Sequence, residues 1–291
     1  MSAVTAILNQ HPAAPDNHKI NVFYSATNNC LAVQQRNEND GRDPNNDLYE
    51  PAGTDQPGHI SNPSSLASVD YRGVSHIFGF VQQVASQPTK HDIAILSPVY
   101  RPIRSTQIYN TSITAASVSE KASVLYLTGG NGNSLHIEEK ILSSEQARQW
   151  TNHAPILAGS ALAAYYLKTE GEPQHIRVIF QGEIENKLYD LDREAGSQEI
   201  ENTSAKPRSS LATTVAGDRV YLYFVNQHGQ LQRVIKDGKT KRWGSPSAVK
   251  DTPIAADATQ LAAVSFGEIN HIFYSARDQL QADFQHVFDY Q

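Results

Sequence analysis

The chain reads as an all-β protein folded into a six-bladed β-propeller, and three observations predict that class. One strand phrase occurs six times: "INVFYSA" from Ile20, "SHIFGFV" from Ser75, "SVLYLTG" from Ser123, "HIRVIFQ" from His175, "VYLYFVN" from Val220 and "NHIFYSA" from Asn270. The centres of these strands, Val22, Ile77, Val124, Val178, Leu222 and Ile272, lie 44 to 55 residues apart. Each copy is also bracketed by an apolar run before it and an alternating run after it, with Gly, Asn or Asp at the turns. Runs rich in Val, Ile, Leu, Tyr and Phe with polar residues interleaved are strands joined by hairpins. Restating one strand order in successive units of this length is the pattern of propeller blades, which bury each sheet against its neighbours and leave few exposed edges. Residues 1-291 are then expected to form a single β-propeller domain.

The elements follow in order within each unit. First strands are "SAVTAIL" from Ser2, "SSLASVDY" from Ser64, "SITAASVS" from Ser112, "SALAAYYL" from Ser160, "SSLATTVA" from Ser209 and "TQLAAVSF" from Thr259. The phrases above supply the second strands. Third strands are "CLAVQQR" from Cys30, "DIAILSPV" from Asp92, "NSLHIEEKI" from Asn133, "NKLYDLD" from Asn186, "GQLQRVIK" from Gly229 and "DQLQADFQ" from Asp278. Trp150 and Trp243 mark two candidate fourth strands. Two stretches exceed what a blade requires: residues 37–65, with one short strand at "DLYE", and residues 97–110; both are expected to be long loops of the kind that carry binding or act as lids. The second unit has the least regular spacing.

Composition removes several function classes. No apolar run approaches the length of a membrane span, which needs roughly 18 residues. Lys+Arg 24 against Asp+Glu 30 gives a formal charge of -6, with the basic residues scattered, so no nucleic-acid partner and no membrane partner is expected. The first residues lack a basic leader and Cys30 is the one cysteine, so no intrachain disulfide forms and a cytoplasmic location is expected.

Familiar chemical motifs fail on inspection. "DPNND", with Asp43, Asn45 and Asp47, opens like a calcium loop but has Leu48 where the glycine belongs and Thr54 at the twelfth position. "GGNGN" from Gly129 lacks the Lys-Ser/Thr of a phosphate cradle and reads as a hairpin turn. None of the 11 histidines falls in a metal-ligand spacing, and no nucleophile elbow is present. No metal and no cofactor is expected.

With "IRVIFQ" and "NKLYDL" as its clearest copy, the repeat resembles the fungal fucose-specific lectins, six-bladed propellers with sugar sites between blades. That resemblance implies a lectin-like propeller in which an arginine on the second strand, a glutamate on the third and an aromatic on a neighbouring strand hold the sugar. Charged groups bond hydroxyls while a ring covers the apolar sugar face. Carried onto this chain, the arginine position is held by Asn21, His76, Ser123, Arg177, Tyr221 and His271. The glutamate position is held by Val33, Ile95, Ile137, Asp190, Arg233 and Ala282. Arg177 and Asp190 are the one surviving pair, so at most one sugar site is expected.

Vacated sugar sites on such a scaffold look like the hetero-Diels-Alderases that join a tropolone quinone methide to a sesquiterpene. This likeness implies a cofactor-independent pericyclase that holds two apolar reactants in register while a donor hydrogen-bonds a ketone oxygen. Candidate catalytic residues are Arg177, Tyr223, His271 and Tyr274; candidate substrate-binding residues are His76, Asp190, Tyr221 and Trp243. The partners implied are small apolar organic substrates, and a homodimer is compatible with this reading. The alternative function is a lectin with degenerate sites for fucose or another glycan.

Overall fold

The computed structural model describes residues 3–11, 14, 19–26, 30–37, 48–50, 60–61, 65–82, 91–108, 110–129, 134–144, 146–166, 175–277 and 284–291. Its strands fall into six separate antiparallel sheets. Blade 1 holds β1 (Val4–Leu8), β2 (Ile20–Ser25), β3 (Leu31–Arg36) and β4 (Leu48–Glu50). Blade 2 holds β5 (Ala67–Tyr71), β6 (Val74–Gln82), β7 (His91–Ser97) and β8 (Arg101–Ile108). Blade 3 holds β9 (Ile113–Val118), β10 (Lys121–Thr128), β11 (His136–Ile141) and β12 (Ala147–Trp150). Blade 4 holds β13 (Leu162–Tyr166), β14 (Ile176–Gln181), β15 (Leu188–Asp192) and β16 (Gly196–Glu199). Blade 5 holds β17 (Leu211–Ala216), β18 (Arg219–Val225), β19 (Leu231–Asp237) and β20 (Ser247–Ala248). Blade 6 holds β21 (Ala262–Phe266), β22 (Ile269–Tyr274) and β23 (Gln285–Tyr290).

This is the predicted all-β six-bladed propeller. Val22, Ile77, Val124, Val178, Leu222 and Ile272 all lie on second strands and are all fully buried. The second strand is enclosed on both faces because each sheet packs between two others. In β14, Ile176, Val178 and Phe180 face blade 3 while Ile179 faces blade 5. Side chains alternate across a strand, so both parities must be apolar where both faces are covered. The core is accordingly six inter-blade clusters, one for each pair of neighbouring blades.

Three details depart from the sequence reading. The third strand of blade 6, expected from Asp278, is β23 (Gln285–Tyr290), and residues 278–283 lie outside the described residues. Residues 101–108, expected within a loop, form β8, the fourth strand of blade 2. The alternation there is too weak to read because Pro102 and the polar run from Arg104 to Gln107 interrupt it. Trp150 does end a fourth strand, whereas Trp243 precedes β20 and makes an isolated bridge to Lys236. The irregularity expected in the second unit is present as register shifts where β6 meets β7 and β7 meets β8. The short strand at "DLYE" is β4 (Leu48–Glu50). The calcium-like Asp43, Asn45, Asp47 and Thr54, and the centre of "GGNGN", lie outside the described residues.

The leading Ser or Thr of the first-strand phrase has a structural job. Ser160 Oγ accepts the N–H of Gln181 at 2.8 Å, Ser209 Oγ that of Val225 at 2.9 Å, and Thr259 Oγ1 that of Ser275 at 2.8 Å. Each hydroxyl thus ties the incoming connection to the far end of its blade's second strand. Neighbouring blades are joined along the axis as well: Ser65 Oγ accepts from Ile113 N, and Ser210 Oγ from Leu261 N. Gln260 closes the ring, its Oε1 accepting from Val4 N at 3.0 Å and Leu66 N at 3.1 Å while its Nε2 donates to Leu66 O at 2.8 Å. Tyr24 and Phe284, edge to face with centroids 5.4 Å apart, seal blade 6 against blade 1.

Candidate functional site

Arg177 on β14 lies opposite Asp192 on β15, and Ile179 lies opposite Asp190. Residues two apart on a strand share a face, so both carboxylates point with Arg177 toward blade 5. The guanidinium uses two nitrogens in a fork: Nε donates to Asp190 Oδ1 at 2.9 Å and Nη1 to Asp192 Oδ2 at 3.0 Å. The other oxygen of Asp192 accepts the N–H groups of Glu194 and Ala195, fixing the turn into β16. Lys236 and Trp243 of blade 5 and Tyr165 from the first strand of blade 4 supply the rest. Asp190 Oδ2 accepts from Lys236 Nζ at 2.6 Å, from Tyr165 OH at 2.8 Å and from Trp243 Nε1 at 3.0 Å. Lys236 also donates to Tyr165 OH at 3.1 Å and sits 5.5 Å from the Trp243 ring centroid.

Burial opposes a charged carboxylate at Asp190, but Lys236 and Arg177 outweigh it and hold the group below the usual carboxylate value. Burial pulls Lys236 below the ordinary lysine value, with Asp190 working the other way. Burial, then the charge of Asp190, pushes the Tyr165 hydroxyl well up, so it stays a neutral donor. Asp190 is fully enclosed, whereas the Arg177 side chain keeps 20% of its surface exposed and Trp243 is half-buried. The carboxylate is occupied on both oxygens and acts as an anchor. What faces outward is the arginine edge and the indole.

Register corrects the sequence mapping at two other blades. The glutamate position lies opposite the residue two beyond the arginine position. In blade 3 that is Glu139, opposite Leu125, not Ile137. In blade 6 it is His286, opposite Phe273, rather than Ala282, which lies outside the described residues. The β10–β11 and β22–β23 hairpins are longer than that mapping allowed. Glu139 accepts from Ser123 Oγ at 2.7 Å and from Trp150 Nε1 at 3.2 Å, and Arg193 from the β15–β16 turn stands 4.0 Å away. Blade 3 therefore has a second carboxylate–indole pair with a guanidinium beside it from the next blade. The doubled acid "EE" inside an apolar strand was its sequence signal.

Of the remaining candidates, Tyr221, Tyr223 and Tyr274 share the buried cluster between blades 5 and 6, while His271 and His76 stand elsewhere. Tyr223, fully buried, donates to Asp289 Oδ2 at 2.6 Å and accepts from Asn270 Nδ2 at 2.8 Å. Tyr274 donates to Pro253 O at 2.7 Å, and burial pushes its hydroxyl up to about 12. His271 pairs with His286, Nδ1 to Nε2 at 2.9 Å, among Phe273 and Phe288. His76 is half-buried on β6, its Nδ1 2.9 Å from Val74 O. Among the described residues, no group of three or more His, Cys, Asp or Glu is placed to hold a metal ion. The inner strands enclose an axial channel of about 90 Å³, which opens at the β18–β19 end of the blades into a cup of about 600 Å³.

No protein-family model and no curated protein sequence matches the chain. Solved structures do. The fungal lectin of Aleuria aurantia, described as a six-bladed β-propeller with a fucose recognition mode, superposes with a TM-score of 0.68 at 17% identity, covering 98% of this chain and 94% of the lectin. AofleA of Arthrobotrys oligospora gives a TM-score of 0.63 at 12% identity, covering 100% of this chain and 87% of its own. The BP39L lectin of Burkholderia pseudomallei gives 0.53 at 12% identity, covering 99% and 96%. At these identities the likeness establishes the fold, a lectin-like six-bladed propeller.

Proposed function

We propose that this propeller binds a saccharide at the junction of blades 4 and 5. The observation that carries the reading is the outward-facing arginine edge beside a half-buried indole from the next blade, both locked on Asp190. Arg177 donates to sugar hydroxyls, Trp243 covers an apolar sugar face, and Asp190 with Asp192 holds the fork in place. These are the groups a sugar needs. Fucosides are the first ligands to try, since the solved neighbours include a fucose-specific lectin. The reading takes the six blades as one domain, because each inter-blade cluster is shared by two sheets. It also expects one site rather than a ring of equal sites, because the indole of the blade 3 pair, Trp150, is buried, and hence no avidity from repetition within the chain.

The cycloaddition reading has less support. It needs a donor facing an apolar cavity, yet its candidate donors Tyr221, Tyr223, His271 and Tyr274 are enclosed in the core. Titration calorimetry with methyl α-fucoside and a glycan array tests the proposal. One-to-one binding that Arg177→Gln weakens at least tenfold supports it. Array silence together with no heat at millimolar fucoside overturns it.

A further inference from the structure

The cup at the mouth of the axial channel is lined by connections from blades 2 to 6 and lies apart from Arg177 and Trp243. Its floor is apolar, formed by Ile113, Leu162 and Leu211, while Asn110, Thr111 and Ser210 line the wall. Its volume, about 600 Å³, suits a ligand larger than a simple ion.

One residue in this cup stands against its own backbone. Ser209 N bonds Lys206 O, and Ser160 N bonds Leu157 O, so blades 4 and 5 enter their first strands through equivalent four-residue turns. The third position of each turn is left-handed: Gly159 at φ 80° in blade 4 and Arg208 at φ 58° in blade 5. A turn of this kind favours glycine there, because a side chain crowds the backbone. Arginine occupies it nonetheless. Its side chain lies back over Gly159, where a Cβ would stand 3.2 Å from Arg208 Cδ and Nε, and Nε donates to Ala158 O at 3.1 Å. Among the described residues no carboxylate pairs with this guanidinium. The neighbouring cup carboxylate, Asp257, is already engaged by Arg277 at 3.3 Å and Lys206 at 3.7 Å. A positioned cation with its terminal nitrogens uncommitted is thus held over an apolar floor between hydroxyl and amide walls.

We propose that the axial cup binds a small hydroxylated carboxylic acid of the hexuronic-acid type, with Arg208 as the carboxylate-binding group. Guanidinium matches carboxylate geometry through two parallel hydrogen bonds, the apolar floor meets a sugar ring face, and the walls meet its hydroxyls. The site is independent of the blade 4–blade 5 site.

Calorimetry on the full chain tests this with galacturonate, galactose and inorganic phosphate, using the variants R208G and R177Q. Galacturonate is expected to bind one-to-one and galactose at least tenfold more weakly. Glycine suits the turn, so R208G is expected to keep or raise the melting temperature while weakening galacturonate at least tenfold. R177Q is expected to leave galacturonate binding unchanged while weakening any fucoside binding at least tenfold, which separates the two sites. The proposal is overturned if galacturonate does not bind, if phosphate binds and galacturonate does not, or if galactose binds equally well. It is also overturned if R208G binds like the parent or melts lower, or if R177Q loses galacturonate.

Discussion

Arg177 and Asp190 are joined by a 2.9 Å ion pair from Nε to Oδ1, and Lys236 from the next blade closes on the same carboxylate at 2.6 Å. One fully enclosed carboxylate therefore balances two cations across a blade interface. Removing it leaves Arg177 and Lys236 without that compensation and Tyr165 and Trp243 without their acceptor. Asp190→Ala is expected to cost about 3–5 kcal/mol, the range for breaking a buried pair on one side. Urea unfolding measures it, and a loss below ~1 kcal/mol would show that the cluster rearranges freely.

Burial holds His271 down to about 4, and burial with the charges of His271 and Arg36 holds His286 down to about 3. Unfolded imidazole takes up its proton near 6.5. Between those values the unfolded chain binds more protons than the folded one, so stability falls as pH is lowered. His91, also lowered by burial, acts in the same sense. Asp190 and Asp192 lose their contribution only further down, below the ordinary carboxylate value. The melting temperature is expected to be level above pH 7 and to decline from pH 6.5 toward 4, less steeply in the double variant His271→Phe/His286→Phe.

Tyr223 works in a buried network with Asp289 and Asn270, and Arg233 Nη1 meets the same Asp289 at 2.6 Å. Tyr223→Phe deprives Asp289 of a donor and Asn270 of an acceptor. A loss of about 1–3 kcal/mol in chemical unfolding is expected, as for a buried polar group left unsatisfied. Saccharide binding should be unchanged, and a selective loss of binding at parental stability would give Tyr223 a role in a site.

Gln260 carries the closure between blade 6 and blades 1 and 2 through three hydrogen bonds. Gln260→Leu is expected to speed amide exchange at Val4 and Leu66 and to lower stability by about 1–3 kcal/mol. Because the blades form one folding unit in this reading, unfolding should remain a single transition. Exchange at Val4 as slow as in the parent would place the closure elsewhere.

The sequence by itself determined the repeat, and with it the propeller. Val22, Ile77, Val124, Val178, Leu222 and Ile272 could be aligned because a strand buried on both faces must be apolar at both parities, which is a local and legible demand. It also marked Arg177 and Asp190, as the one pair that fills the arginine and acidic positions implied by the resemblance to the fucose-specific lectins. What only the tertiary structure decided is which residues meet. Hairpin length sets strand register, and a two-residue error there exchanged Ile137 for Glu139. Lys236 and Trp243 reach Asp190 from another blade, and contacts between sheets leave no periodic trace in the chain. The tyrosines and His271 looked like free donors in one dimension; enclosure between sheets gave them partners in the core.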